Sequence, residues 1–97
     1  MTTVLKINLA ERFGAYLSFR KTALEIRTEI EGAEDIEIDF GGIEGISGSF
    51  ADELFGVLVE ERGIEWFRSH VKAVALDEDV KAAILHAIGP RLGAIGA

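Results

Sequence analysis

Two serines, Ser47 and Ser49, stand in a glycine-rich turn that is the part of this chain best suited to chemistry. The turn follows a short apolar strand pattern and leads into an amphipathic helix pattern that starts at Ser49. A helix start offers unpaired backbone N–H groups and a partial positive charge, which favour a phosphate group. The turn is therefore a candidate site for phosphate chemistry.

Ser49 also fits a purely structural role at the same position. A serine at a helix N-cap accepts a hydrogen bond from the backbone, and Asp52 three residues later completes a variant capping pair. Such a cap stabilises a protein by about 1 kcal/mol without any further function. The residues alone leave capping and phosphorylation both open.

The other reactive side chains match no standard catalytic pattern. The glycines do not have the spacing of a phosphate-binding loop or a dinucleotide fingerprint, and no lysine follows Gly48 before Lys72. The string GISGS is one residue off the nucleophile elbow of hydrolases, whose base would have to be His70 or His86. With no cysteine and two distant histidines, the chain has no transition-metal signature. We expect no catalytic residue, no metal and no cofactor.

The elements around the turn alternate between strand and helix patterns. Strands are predicted at residues 4–9, 15–17, 36–40 and 71–76, and helices at residues 18–31, 49–62 and 78–88. Ser18 and Asp77 are the predicted N-caps of the first and last helices. The alternation predicts a small α/β domain, with a mixed sheet of about four strands and helices packed against one main face. Ligands of open α/β sheets bind at the carboxyl ends of strands, where the serine turn is expected to lie.

The composition of the chain limits its possible partners and its location in the cell. The 97 residues make one domain, assigned to residues 1–92, and residues 93–97 are expected to form a flexible tail after Gly89 and Pro90 end the last helix. A net charge of −7 disfavours binding to phosphate backbones, so no nucleic-acid partner is expected. No apolar run approaches the length of a membrane span, and the absence of cysteine fits a reducing compartment. We therefore expect a cytoplasmic protein that does not contact a membrane.

The string IEIDFGGIEGISGSFADELFGVL, residues 36–58, resembles the STAS-like family of bacterial domains of unknown function. In that family a strand that ends in Asp-Phe leads through a serine-containing turn and Ser-Phe-Ala-Asp-Glu-Leu into a helix. The resemblance extends to residues 7–20 and 74–88, and so covers most of the chain. More remotely, the chain is similar to the STAS domains of anti-sigma factor antagonists. Those are small α/β proteins whose serine, at the start of a helix, is phosphorylated by a partner kinase of the histidine-kinase-like ATPase type.

The alignment with the antagonists implies which serine is modified. When residues 41–43 are aligned with the end of the corresponding antagonist strand, the phosphorylated serine falls at Ser49. The chain departs from the antagonist pattern here, because Ser47, Gly48, Ser49 and Phe50 stand where the antagonists carry Asp-Ser-Ser-Gly or a close relative. The acid two residues before Ser49 is absent and a bulky side chain follows it, so Ser47 stays a second phosphorylation candidate beside Ser49.

The resemblance implies a non-catalytic regulatory module that binds a partner protein through the serine turn and the helix behind it. In this scheme Phe50 and Phe55 offer apolar contact, Asp52 and Glu53 form a charged rim, and Gly48 lies within the contact surface. The expected partner is a protein, with a histidine-kinase-like ATPase as the candidate. Two alternatives stay open: a small-ligand or nucleotide-binding sensor that uses the same helix start, and a structural accessory domain that forms homo-oligomers.

Overall fold

Short strands and helices alternate along the chain, in the α/β order that the sequence predicts. The computed structural model describes the backbone of residues 4–96 and the side chains of residues 4–90. The strands are β1 (Val4–Asn8), β2 (Tyr16–Leu17), β3 (Asp35–Asp39), β4 (Gly45–Ile46) and β5 (Val71–Val74). The helices are α1 (Leu9–Phe13), α2 (Arg20–Ile30), α3 (Gly48–Ala51), a π-helical segment (Asp52–Gly56), α4 (Val57–Arg62), α5 (Ile64–His70) and α6 (Glu78–Gly96). From α3 through α4 the backbone is continuously helical.

The strands form two parallel sheets, which corrects the prediction of one mixed sheet of about four strands. The larger sheet has the order β1-β3-β5, and β2 pairs with β4 in a separate two-stranded sheet. Each pair is joined by a crossover that contains at least one helix, and such crossovers return the chain parallel to its neighbour. β4 was not predicted because it has only two residues, Gly45 and Ile46, and two residues carry no periodicity.

The central strand β3 has one apolar and one polar face. Ile36 and Ile38 are buried, whereas Glu37 between them is half-buried. In the register of the sheet, Glu37 lies between Lys6 of β1 and Lys72 of β5, and both lysines are exposed. The apolar face of β3 contributes to the core, and the opposite face carries a row of alternating charge across the three strands.

The core joins the apolar face of the large sheet to α2, to the helical stretch from α3 to α4, and to α6. It comprises Ile7, Leu9, Leu17, Ala23, Ile26, Ile30, Ile36, Ile38, Phe40, Ile43, Phe50, Leu54, Phe55, Leu58, Val59, Val80, Ile84 and Ile88. Burial of each large apolar side chain stabilises the fold by about 1.5–3 kcal/mol relative to exposure. Among residues 4–96, none of the helices has the length and apolar character that crossing a membrane requires.

Two predicted helix ends differ from those observed. The N-cap of α2 is Phe19 rather than Ser18, and α6 continues through Pro90 to Gly96 instead of ending at residue 88. A proline inside a helix removes one backbone donor and kinks or breaks the helix; here the helical backbone continues past Pro90. Asp77 is confirmed as a cap, because its Oδ1 accepts the N–H of Val80 at 2.8 Å. The predicted tail therefore starts inside α6; residue 97 lies outside the described residues, and the tail's flexibility stays a prediction.

Candidate functional site

The chain leaves β3 through a turn that requires glycine. The N–H of Gly41 donates a hydrogen bond to Oδ1 of Asp39 at 2.8 Å, which closes the turn. Gly42 has a φ of 86°, in the left-handed region, and a Cβ there would lie 3.2 Å from Cβ of Ala10. Glycine at this position avoids both the conformational strain and the close contact. The glycine-rich composition near the serines thus has a structural reason.

The strand β4 then holds the chain beside β2. The backbone amides of Glu44 and Ser47 donate to the carbonyl oxygens of Ala15 at 2.7 Å and Leu17 at 2.8 Å. These bonds keep the chain extended up to Ser47. They also place the serine turn against the segment that connects β2 to α2.

Ser47 is the N-cap of the following helix, which corrects the prediction that Ser49 is the cap. Its backbone is extended (φ −78°, ψ 157°), and its Oγ accepts the N–H of Phe50 at 3.0 Å. The same hydroxyl donates to the carbonyl oxygen of Ser18 at 2.9 Å. Because the pairing of β4 ends here, the helix begins at Gly48, one residue earlier than its apolar pattern suggested.

Ser49 lies within the first helical turn and is exposed. Its hydroxyl makes no hydrogen bond to any of residues 4–90. The backbone amides of Gly48 and Ser49 occupy helix positions that have no intrahelical acceptor. Of the two candidate serines, Ser47 therefore has the structurally engaged hydroxyl and Ser49 the accessible one.

Phe50 and Phe55 are core residues, which corrects the prediction that they offer contact to a partner. Both are 0% exposed, and the Phe55 ring lies 6.0 Å from the ring centroids of Phe40 and of Phe67. The π-helical segment explains why Phe55 is buried. Its hydrogen bonds join residues five apart, so one turn takes more residues than in an α-helix and the following side chains change face. A sequence pattern with a period of 3.6 residues does not show this change.

Asp52 and Glu53 face the arginines of α2. Nη1 of Arg20 lies 3.2 Å from Oδ2 of Asp52 and 3.8 Å from Oε1 of Glu53, while Nη2 of Arg27 lies 3.1 Å from Oε2 of Glu53. Arg27 also contacts Glu61 at 2.7 Å. The side chains of Arg27 and Glu53 are 18% and 21% exposed, so their attraction is less screened by water than that of Arg20, which is 55% exposed. The predicted acidic rim is thus largely balanced by α2.

A groove of about 530 Å³ lies between the helix start and α6. Its lining includes Gly48, Asp52, Ala82, Ala83, His86 and Pro90. The α6 residues were not predicted from the sequence to belong to this region. Their spacing in the sequence could have indicated this position. Residues 83, 86 and 90 are separated by three and four residues, which places them on one side of a helix. The lack of a side chain at Gly48 and the small side chains of Ala82 and Ala83 leave the groove open.

Only one of the two histidines lies near the serines: His86 lines the groove beside Gly48, whereas His70 lies elsewhere. Nδ1 of His70 lies 2.9 Å from Oδ1 of Asp35, at the amino ends of β5 and β3, whereas the serine turn follows the carboxyl end of β3. The two ends of a parallel sheet are opposite, so His70 is remote from Ser47 and Ser49. Among the side chains of residues 4–90, no hydrogen bond joins a histidine to a serine hydroxyl, and no group of three or more histidines and acids is arranged to hold a metal ion.

Comparison with protein families identifies the chain. A family model described as a STAS-like domain of unknown function (DUF4325) matches residues 22–81, which is more than half of the chain and includes β3, the serine turn and the helices from α3 to α5. The searches of curated proteins and of solved structures gave no match. The chain therefore belongs to the DUF4325 family of STAS-like domains of unknown function.

Proposed function

We propose that this domain is a non-catalytic regulatory module that binds a partner protein at the Gly48–Ser49 helix start, and that phosphorylation of Ser49 changes this binding. One contrast carries the proposal: two hydrogen bonds engage the hydroxyl of Ser47, whereas the hydroxyl of Ser49 is exposed in the first helical turn. A kinase requires an accessible hydroxyl, and the first turn of a helix favours the resulting phosphate. The resemblance to anti-sigma factor antagonists suggests a kinase of the histidine-kinase-like ATPase type.

The contact surface in this proposal combines the helix start with the neighbouring side of α6. Gly48 and Asp52 line one wall of the groove, and Ala83 and His86 line the other. The alanine side chains of this groove, Ala82, Ala83 and Ala87, replace the two buried phenylalanines as the proposed apolar contact. Because the groove is lined mainly by small side chains, a larger side chain of the partner has room to enter it.

A phosphate on Ser49 would change the charge of this surface directly. It adds about 1.5–2 negative charges at neutral pH. Asp52 lies three residues further along the helix, where its carboxylate contacts Arg20. The phosphate would repel Asp52 and compete with it for Arg20, whose exposed side chain has freedom to move. An interface that accommodates the unmodified surface is weakened by this change, because like charges accumulate at one position.

Phosphorylation in vitro tests the proposal. The purified domain is incubated with ATP and with a histidine-kinase-like ATPase recovered with it from native lysate, and modified residues are mapped by mass spectrometry. We expect one phosphate on Ser49, its loss in Ser49→Ala, and its retention in the Ser47→Thr control, which keeps a hydroxyl cap. Absence of phosphate, or modification that persists in folded Ser49→Ala, contradicts the switch.

Binding measurements then separate the switch from stability. We expect Ser49→Ala to bind the recovered partner as the unmodified protein does, and Ser49→Asp to bind more weakly at unchanged stability. Isothermal titration calorimetry measures the affinity, and urea unfolding measures the stability of the same variants. Equal partner affinity for Ser49→Ala and Ser49→Asp would show that charge at this position does not control the complex.

A second candidate function, binding of a small ligand or nucleotide, is favoured by the size of the groove. Its volume of about 530 Å³ lies within the range of about 300–1,000 Å³ that is usual for small-molecule sites. Equilibrium dialysis with labelled ATP and GTP tests this alternative, with Ala83→Trp as the variant that fills the groove. Saturable binding that Ala83→Trp abolishes, together with no phosphate transfer to Ser49, would favour the sensor over the phosphorylation switch.

A further inference from the structure

The strand β5 forms an open edge of the three-stranded sheet. β3 flanks it on one side, and no other strand of residues 4–96 pairs with its second side. The carbonyl oxygen of Val74 accepts the N–H of Phe40 at 3.0 Å, so the backbone groups of Val74 point towards β3. Backbone groups alternate in direction along a strand, so the N–H and C=O of Ala73 point away from the sheet. Such an edge is a template for pairing with another extended chain.

An apolar groove of about 180 Å³ lies beside this edge. Ala73 and Leu76 form the side nearest the strand, and Ile84 and Leu85 of α6 form the opposite side. Leu85 is 58% exposed, although it is a large apolar side chain next to the core. The groove therefore offers an apolar surface along the same edge that presents the unpaired backbone groups of Ala73.

The other face of β5 carries positive charge. Lys72 is exposed and lies in register with Glu37, which in turn lies in register with Lys6 of β1. An acidic side chain on a fourth strand, next to Lys72, would continue this alternation of charge, and opposite charges on neighbouring strands stabilise pairing. Lys81 lies at the groove and adds a second positive charge to the same region. Although the whole chain has a net charge of −7, its β5 edge is thus suited to an acidic segment.

A second copy of the chain fits this edge less well. An antiparallel pair of β5 strands centred on Ala73 would place Lys72 opposite Val74 rather than an acid, and a pair centred on Lys72 would place the two Lys72 side chains directly opposite each other, on the same face of the sheet. Like charges in that position destabilise the pair. The charge pattern therefore favours a different chain that carries acids where β5 carries lysine.

We infer that the β5 edge binds an extended acidic segment of a partner protein as a fourth strand, with apolar side chains in the groove and carboxylates beside Lys72. In this mode, hydrogen bonds to the backbone of Ala73 contribute affinity, and the alternating side chains contribute specificity. The surface is separate from the proposed Ser49 site, because α6 lies between them. Ala83 lines the groove at the helix start, whereas Leu85 lines the groove at β5. The inference does not depend on phosphorylation.

The test uses a designed peptide and the full chain. The probe is a blocked, fluorescently labelled peptide that alternates valine and glutamate over about eight residues, somewhat longer than a typical strand. Its matched control alternates valine and lysine. Fluorescence anisotropy measures the affinity of both peptides for the protein, and hydrogen exchange measures the protection of the Ala73 amide on binding.

We expect the glutamate peptide to bind at least about tenfold more tightly than the lysine peptide, which corresponds to about 1.4 kcal/mol. Lys72→Glu should reverse this preference, and Leu85→Glu should weaken binding of the glutamate peptide about tenfold. Leu24→Glu is the matched control for the second variant, because Leu24 is 49% exposed and lies on α2, away from the groove. It should leave the affinity unchanged.

Several results overturn the inference. They are absence of saturable binding, equal affinity for the two peptides, equal effects of Leu85→Glu and Leu24→Glu, and binding without protection of the Ala73 amide. Self-association in analytical ultracentrifugation that Leu85→Glu abolishes would also overturn it, because the edge would then be occupied by a second copy of the chain.

Discussion

The hydroxyl of Ser47 donates a hydrogen bond to the carbonyl oxygen of Ser18, 2.9 Å away and 29 residues earlier in the chain. Because the same hydroxyl accepts the N–H of Phe50, one side chain connects the helix start to the entry of α2. A phosphate on Ser47 would remove the hydroxyl proton and with it the bond to Ser18. The contact between these two serines is thus the reason why Ser49 is the better candidate for modification.

The first prediction concerns the stability of serine variants. Ser47→Ala removes the cap and the bond to Ser18, and should lower the free energy of unfolding by about 1–2 kcal/mol. Ser49→Ala removes an exposed hydroxyl and should change it by less than about 0.5 kcal/mol. Ser47→Thr keeps a hydroxyl and is the control. Urea unfolding checks the order, and a larger loss for Ser49→Ala than for Ser47→Ala would restore Ser49 as the cap.

The second prediction concerns the two arginines of α2. Arg27→Ala leaves the half-buried Glu53 without this cation and removes the contact with Glu61, so the free energy of unfolding should fall by about 1–3 kcal/mol. Arg20→Ala, at an exposed ion pair, should cost less than about 0.5 kcal/mol. Thermal and urea unfolding of both variants measure the difference. Equal effects would mean that burial does not strengthen the Arg27 contacts.

Arg27→Lys provides a finer test of the same contacts. Arg27 uses Nη1 for Glu61 and Nη2 for Glu53, while its Nε has no hydrogen-bond partner among the described residues. A lysine ammonium is a single point of charge and cannot reproduce this spread of donors. The stability of Arg27→Lys should therefore lie between those of the unmodified protein and Arg27→Ala.

The third prediction separates a core role of Phe55 from a contact role. Phe55→Ala creates a cavity in the core and should cost about 3–5 kcal/mol, a large part of the stability of a domain of this size. Phe55→Leu should cost less and leave a folded protein. Phe19→Ala is the exposed control, because Phe19 is 73% exposed. If Phe55→Leu is as stable as the unmodified protein but no longer binds the partner, Phe55 contacts the partner and its role is not confined to the core.

The fourth prediction uses two residues with positive φ. Ala75 has a φ of 58°, which costs energy for a residue with a Cβ, so Ala75→Gly should raise the free energy of unfolding by about 0.5–1 kcal/mol. Gly63, between α4 and α5, has φ 89° and ψ 156°, a region almost restricted to glycine. Gly63→Ala should therefore destabilise the protein by about 1–3 kcal/mol. Urea unfolding measures the change in the free energy of unfolding for each variant. Changes of opposite sign for Ala75→Gly and Gly63→Ala confirm the two backbone conformations, and changes of the same sign contradict them.

The sequence by itself determined the elements whose signals are local. The alternation over Ile36–Phe40 depends only on neighbouring residues, and it identified the central strand and its buried face. Asp77 caps α6 as predicted, because the capping carboxylate and its donor are three residues apart. The string around the serine turn was long enough to indicate the family.

Tertiary structure alone decided the points that depend on distant partners. Hydrogen bonds from β4 to β2 set where the extended chain ends, and they moved the cap from Ser49 to Ser47. The π-helical segment buried Phe55 where a regular helix pattern could not show it, and the α2 arginines balanced Asp52 and Glu53. A sequence pattern records the preferences of adjacent residues. It does not record which strand pairs with which, and that pairing decides which serine faces solvent.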